Sequence, residues 1–203
     1  MSSALRVFAR VAAGLWLAAA TAASAQPGTP PIVGTCAVRF FGTSTLHDFE
    51  GSAPCALLAI GAPDANGRHT ARAEVAIARM ETGISARDKK MRGMFEAKKF
   101  PWIVATFPPI DPAALRAQRA GALPFRLALH GVERDVAPTI SGYSESPGRS
   151  ARFRATFDLS LRDFGLEAPV AMGFIQVGDG VKVVVDVELV ANGGSAPAAG
   201  GAR

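Results

Sequence analysis

The sequence has few of the residues that build metal and catalytic sites. It contains three histidines, His47, His69 and His130, and two cysteines, Cys36 and Cys55, among 203 residues. The histidines lack the H-x-x-x-H spacing of a metal site, and no C-x-x-C or G-x-S-x-G pattern accompanies them. We therefore expect no metal site, no cofactor, no catalytic residues and no enzymatic activity.

Long uninterrupted apolar runs are also missing. A membrane-spanning helix needs about 20 consecutive apolar residues, whereas the run Val11–Ala20 has about half that length. This run follows Arg6 and Arg10 and precedes the small residues 21–25, which is the pattern of a cleavable signal peptide. We predict that residues 1–25 are a signal peptide and that the mature protein is free and soluble in the periplasm.

A strong excess of one charge is absent as well. Loss of residues 1–25 lowers the net charge from +5 to +3, because two of the 22 basic residues lie there. Such a modest excess argues against nucleic acid as a partner. The remaining chain is long enough for one domain, predicted at 26–191. The small residues 192–203 are predicted to form a flexible C-terminal tail.

The two cysteines are expected to pair. A lone pair of cysteines in an oxidising compartment forms a disulfide by default. If Cys36 and Cys55 face each other in one hairpin, its midpoint falls between Thr45 and Leu46. We predict a cross-strand disulfide. A redox or metal pair is the alternative, and the missing C-x-x-C spacing argues against it.

Apolar and polar residues alternate through most of the mature sequence, and this period of two is typical of strands. The alternation is clearest over 153–161 and 181–189. Weaker candidates lie at 35–41, 46–60, 68–80, 102–107, 123–132, 135–144 and 170–177. Turn residues at 65–68, 146–148 and 178–180 separate neighbouring strands. Eight or nine antiparallel strands are therefore predicted.

One helix interrupts these strands. Ser85 is predicted as its N-cap, Asp88 follows three residues later, and the helix must end before Pro101. A second, short helical turn is predicted within 112–120. Strands in this number with one covering helix fit either a sandwich or an up-and-down barrel. Length and strand count favour neither architecture.

Three motifs occur in order along the chain. Residues 87–101 read RDKKMRGMFEAKKFP and lead to an Ala-Thr-Phe at 105–107, residues 127–132 read LALHGV, and residues 163–165 read DFG. Together they resemble the YceI-like family over roughly 36–189. The resemblance implies an all-β, eight-stranded antiparallel lipocalin-like barrel with one covering α-helix. It also implies a periplasmic protein whose apolar lumen holds an isoprenoid lipid of the quinone or isoprenyl phosphate type.

The chain departs from the family pattern in two segments. The block 44–51, STLHDFEG, differs from the commoner form in the position of its histidine. The segment between Phe107 and Leu123 is rich in proline and alanine where the family usually has a shorter link. Both segments lie where access to a lumen would change, so the two departures bear on which ligand is bound.

An isoprenoid chain is bound by apolar area, so its site requires Phe, Leu, Val and Met side chains. The resemblance implies a ligand-lined lumen, and the predicted lining residues are Met91, Met94, Phe95, Phe125, Leu127, Leu129, Phe153, Phe157, Leu159, Val183, Val185 and Val187. The alternative is that these side chains form a dry core. In that case the protein is a non-catalytic stress-response or protein-interaction module with a side-chain-filled barrel.

The predicted helix also carries a group of basic residues. Lys89, Lys90 and Arg92 are candidates for contact with an anionic head group or with an acidic membrane surface. The alternative is an ordinary solvated helix face, since such faces routinely carry charged residues.

Overall fold

The computed structural model describes residues 32–146, 150–171 and 175–191. The predicted signal peptide, 1–25, and tail, 192–203, lie outside the described residues. The elements in chain order are β1 (Ile32–Ser44), β2 (Phe49–Ile60), β3 (His69–Ala76), a 3-10 turn (Ile77–Arg79), α1 (Ser85–Met94), β4 (Trp102–Ile110), α2 (Pro112–Arg116), β5 (Phe125–Leu129), β6 (Val132–Val136), β7 (Thr139–Ser146), β8 (Ser150–Ser160), a second 3-10 turn (Arg162–Phe164), β9 (Val170–Ala171) and β10 (Ile175–Ala191).

The strands form one antiparallel sheet. Its order is β6-β5-β4-β3-β2-β1-β10-β8-β7, and the two-residue β9 pairs with β10. Most neighbours are consecutive in the chain, as in a meander. The longest strand, β10, has 17 residues and pairs with β1 on one side and β8 on the other. The last strand thereby joins the two halves of the sheet.

The sheet is strongly curled. Its edge strands, β6 and β7, are consecutive in the chain and separated only by Ala137 and Pro138. Because Val136 and Thr139 are three peptide units apart, their Cα atoms lie within about 11 Å of each other. Strands near opposite ends of the sheet are also in contact through aromatic rings. The ring centroids of Phe125 on β5 and Phe157 on β8 lie 5.3 Å apart. No backbone pairing joins β6 to β7 within the described ranges, so the sheet is a curled half-barrel.

The count of eight strands implied by the family resemblance is wrong, whereas the alternation predicted eight or nine. Nine strands lie along the sheet and β9 is added at one side. The predicted strands 123–132 and 135–144 are divided among β5, β6 and β7, because the chain reverses at His130 and Gly131 between the paired Leu129 and Val132. Both turn residues have positive φ, 52° and 77°, which matches the twist of a two-residue hairpin. A histidine at such a position is not a usual turn signal.

The predicted turn at 178–180 is also wrong, because β10 runs through it without a break. Asp179 instead binds the end of β8: one carboxylate oxygen accepts from the Arg162 backbone N–H at 3.0 Å, and the other accepts from the Ser160 hydroxyl. The Gly-Asp-Gly sequence therefore places the Asp179 carboxylate against the end of β8 and does not form a turn. The turn at 65–68 is confirmed, with Gly67 at φ 73°.

The two helices are short and differ in how they begin. Helix α1 starts after Ile84, which makes no side-chain cap, so the prediction of Ser85 as N-cap is wrong. Helix α2 confirms the predicted short turn; Asp111 caps it by accepting from the Ala113 N–H at 2.8 Å. Among the residues that the structure describes, no helix has the length and apolar character to cross a membrane.

The predicted disulfide is confirmed. Cys36 on β1 and Cys55 on β2 are bonded, with their Cα atoms 5.3 Å apart. Ala37 pairs with Pro54 in the same register, so the hairpin midpoint lies where the sequence predicts it. The bond links two neighbouring strands near the middle of the sheet.

We expect reduction of this disulfide to lower the free energy of unfolding by about 3 kcal/mol. The bond closes a loop with a sequence separation of 19, and a loop of that size restricts the unfolded chain by about that amount. Guanidinium denaturation with and without reductant measures the change. The double variant C36A/C55A is the control and should not respond to reductant; an equal response in both proteins would contradict the prediction.

Candidate functional site

The concave face of the curled sheet surrounds an apolar cavity of about 460 Å³. Alternate residues of each strand point into it, because side chains in a strand alternate between the two faces. Of the predicted lining residues, those that border this cavity are Met91, Met94, Phe95, Phe125, Leu127, Leu129, Phe157, Leu159, Val183, Val185 and Val187. Phe153 borders a second cavity instead. That a ligand contacts these side chains stays a prediction.

The wall contains further residues that the sequence interpretation did not include. Many of them lie on β1 to β4 and in the segment before β5, among them Cys36, Val38, Phe40, Ala53, Cys55, Ala73, Val75, Ile103, Ala105, Phe107 and Leu123. The alternation of side chains along a strand could have identified them, because Cys36, Val38 and Phe40 are every second residue of β1. The disulfide therefore forms part of the cavity wall.

Helix α1 covers the cavity with its apolar face. Met91 and Phe95 are buried and belong to the main core cluster, and Met94 packs against that cluster. Unbranched methionine side chains adapt to irregular space. The helix thus closes the cavity with flexible side chains.

Asp88 fixes the segment that leads into α1. Its Oδ1 accepts from the Thr82 backbone N–H at 2.8 Å and from the Thr82 hydroxyl at 2.6 Å. These hydrogen bonds, the hydroxyl one foremost, hold the pKa of Asp88 below its ordinary value, with smaller help from the charges of Arg92 and Arg87. This carboxylate was predicted as part of a helix cap, but it accepts hydrogen bonds from the loop before the helix.

Exposed and polar side chains mark the cavity mouth between α1 and the loop joining β1 to β2. The Arg87 guanidinium lies over the Phe49 ring, 5.2 Å from its centroid, and both residues line the cavity. Lys90 is exposed and also lines it, together with His47 from the loop. We name this opening, bordered by His47, Phe49, Arg87 and Lys90, the α1 mouth.

The three predicted head-group residues lie in different surroundings. Lys90 borders the α1 mouth, and Lys89 is exposed on the same helix. Arg92 donates through Nη2 to the Met80 carbonyl at 3.1 Å, so it attaches α1 to the segment after β3. Contact of these residues with a head group stays a prediction. Arg87 was not among them, although it lies in the same basic run.

The three sequence motifs meet around His130. Its Nδ1–H donates to the carbonyl of Phe164, in the DFG motif, at 3.2 Å. Its ring packs edge-on against Phe100, in the helix-to-strand motif, at 4.7 Å between centroids. Its buried Nε2 lies 3.6 Å from Glu96 Oε1. The motifs therefore build a structural junction between α1, the β5–β6 turn and the end of β8.

The three histidines lie in different surroundings. His130 belongs to this junction, His47 lies in the loop of the α1 mouth, and His69 bonds through Nδ1 to the Gly61 carbonyl at 2.9 Å. Within the described part of the chain, no three His, Cys, Asp or Glu residues cluster in a way that would hold a metal ion.

This geometry defines a class of all-β proteins in which a curled antiparallel sheet and one helix surround an apolar lumen. The chain belongs to the YceI-like domain family, whose model matches residues 36–189. The family predicted from the three motifs is confirmed. No curated protein matches the chain.

Solved structures share this fold at low sequence identity. BcnA from Burkholderia cenocepacia has a TM-score of 0.58 and 14% identity over 75% of this chain and 95% of its own. A polyisoprenoid binding domain from Saccharophagus degradans, implicated in plant cell wall breakdown, has a TM-score of 0.58 and 17% identity over 79% and 99%. The YceI protein of Campylobacter jejuni has a TM-score of 0.50 and 19% identity over 68% and 81%. At these identities the likeness concerns the fold.

We expect the Asp88 carboxylate to stabilise the protein at neutral pH and to lose this effect in acid. Because folding lowers the pKa of Asp88, the stabilisation is present above the unfolded-state pKa of about 4 and disappears as pH falls through the folded-state value. The variant D88N should therefore melt several degrees below the wild type at pH 7, and the gap should narrow towards pH 3. Thermal unfolding at stepped pH measures both.

The exposed Asp163→Asn variant is the control for Asp88 and should follow the wild type across the pH range. A gap between D88N and the wild type that is constant with pH would contradict the role of the charge.

Proposed function

We propose that this protein is a non-catalytic carrier that binds an isoprenoid lipid in the lumen of its curled sheet. The observation that carries the proposal is the cavity of about 460 Å³ whose wall is almost entirely apolar. Such a wall binds hydrocarbon through buried area and dispersion and offers few groups to a polar ligand. Membership of the YceI-like family and the fold shared with a polyisoprenoid binding domain support the same ligand class.

The ligand's polar end is proposed to lie at the α1 mouth. Arg87 and Lys90 bring positive charge to the rim of an otherwise apolar cavity. Guanidinium and ammonium groups bind phosphate oxygens through charge-assisted hydrogen bonds and also donate to a quinone carbonyl. The proposed ligands are therefore of the isoprenyl phosphate or quinone type.

The proposed compartment is the periplasm. The signal-peptide pattern of residues 1–25 and the Cys36–Cys55 disulfide both support an oxidising, extracytoplasmic site. The inner and outer membranes that border the periplasm would supply isoprenoid lipids.

A protein-interaction module with a side-chain-filled barrel is the second candidate. It requires lumen-facing side chains to fill their own interior at the usual packing density of proteins. The two cavities of about 460 and 520 Å³ argue against such filling, and for this reason we favour the lipid carrier.

Filling the lumen should weaken lipid binding. Ala105 is half-buried on the cavity face of β4, and its neighbour Thr106 is exposed. We expect A105W to weaken binding of added ubiquinone or isoprenyl phosphate by roughly tenfold or more, since the indole occupies the space of several methylene groups. The matched variant T106W should bind as the wild type does.

Titration with a fluorescent prenyl probe, and mass spectrometry of organic extracts of the purified protein, measure this binding. A lipid-free wild type that takes up neither added ligand would overturn the proposed function. Equal binding by A105W and T106W would show that the ligand lies outside the lumen.

Charge reversal beside the α1 mouth should weaken attachment to anionic membranes. The double variant K89E/K90E replaces two exposed cations on α1, and basic residues near an acidic bilayer each contribute about 1 kcal/mol. Co-sedimentation with vesicles containing anionic phosphatidylglycerol should show reduced binding. R119E/R134E, which makes the same charge change at other exposed sites, is the control; equal losses in both variants would exclude a localised membrane contact.

A further inference from the structure

A second apolar cavity of about 520 Å³ lies under α2 at the other end of the lumen. It is bordered by the ends of strands that also border the first cavity: Ile32 begins β1, Ile60 ends β2, Ile110 ends β4 and Leu189 lies near the end of β10. Leu115 of α2 is buried in the second core cluster and forms its roof. The cavity is therefore part of the same interior and lies far from the α1 mouth.

The two cavities share part of their wall. Leu58, Phe107, Leu123 and Val187 each border both of them. Phe107 and Leu123 lie at the two ends of the proline- and alanine-rich segment that distinguishes this chain from the usual family pattern. Side-chain rotamer changes are faster than movements of whole backbone segments. A chain that enters from one cavity thus reaches the other by displacing side chains.

The combined interior is long. On β10 the first cavity reaches Val177 and the second reaches Leu189. At up to about 3.3 Å per strand residue these positions are at most about 40 Å apart. An interior of this length fits an extended hydrocarbon chain.

The opening under α2 is electrically balanced. Glu145 Oε1 accepts from Arg116 Nε at 2.7 Å and from the Tyr143 hydroxyl at 2.6 Å. Both hydrogen bonds, that of Tyr143 foremost, lower the pKa of Glu145, whereas burial and the bond to Glu145 raise the pKa of Tyr143 to about 12. At neutral pH the carboxylate therefore cancels the Arg116 charge. An anionic group is therefore attracted less strongly here than beside the Arg87 guanidinium, which lies over the Phe49 ring at the α1 mouth.

We propose that the cavity under α2 receives the distal end of a long-chain isoprenoid whose polar end lies at the α1 mouth, and that Phe107 and Leu123 separate short from long chains. Short prenyl chains fill the first cavity only. Long chains pass these two side chains and bury their remaining isoprene units under α2. The inference depends on the proposed lipid-binding function and adds chain-length selection to it.

The test compares the affinities of farnesyl monophosphate and undecaprenyl monophosphate, which differ in chain length and share one head group. Ala71 borders only the cavity under α2, whereas Ala105 borders only the first cavity. We expect the wild type to bind the long chain more tightly. A71W should lose roughly tenfold or more of its long-chain affinity and keep its short-chain affinity, because the apolar area buried by the distal units is lost. A105W should lose both.

The exposed neighbour Thr70→Trp is the matched control for A71W and should bind as the wild type does. Retained farnesyl binding by A71W demonstrates that it is folded, and A151W fills the same cavity from β8 as an independent variant. Equal affinity of the wild type for both chains would overturn the inference, as would undiminished long-chain binding by A71W and A151W. Loss of both ligands in A71W and A151W would also overturn it. Failure of the wild type to bind either ligand would instead reject the lipid-binding function itself.

Discussion

The structure depends on the short connection between the two edge strands of the sheet. Because only Ala137 and Pro138 lie between β6 and β7, which are the two edges of a nine-stranded sheet, the sheet has to curl until its ends approach each other. Side chains then hold the ends together: Phe125 meets Phe157, and His130 bonds to the Phe164 carbonyl. Because of this curl, the inward residues of seven different strands face one shared interior instead of a flat surface.

The interior contains space because of what lines it. Alanines on β3 and β4 face the lumen between larger Val, Ile and Phe side chains, and the backbone of a curled sheet does not collapse to fill the gap. An unfilled apolar space forfeits dispersion contacts, and it does not attract water, which needs polar partners. A hydrocarbon chain in this space would make the missing dispersion contacts with the wall. Polar groups occur at the openings, where they orient a ligand without costly burial of charge.

The openings at the two ends differ in charge for local reasons. Helix α1 supplies Arg87 and Lys90 at one end. At the other, Glu145 on β7 pairs with Arg116 of α2 and attaches that helix to the sheet. Helix α2 itself exists because Asp111 caps it and Pro112 begins it, within the segment that departs from the usual family pattern. The segment that departs from the family therefore builds the roof of the cavity at the far end of the lumen.

The amino-acid sequence by itself determined the all-β class, the family, the cysteine pair and part of the lumen wall, because alternation along a strand and motif spacing are local properties. It did not reveal the turn at His130 and Gly131, the unbroken course of β10 through Gly178–Gly180, or the second cavity. Those features were decided by the tertiary structure. A positive φ at His130 is stabilised by its contacts with Phe100 and Phe164, which lie 30 and 34 residues away in the chain. Likewise, a cavity exists only where strands distant in sequence curve around the same space.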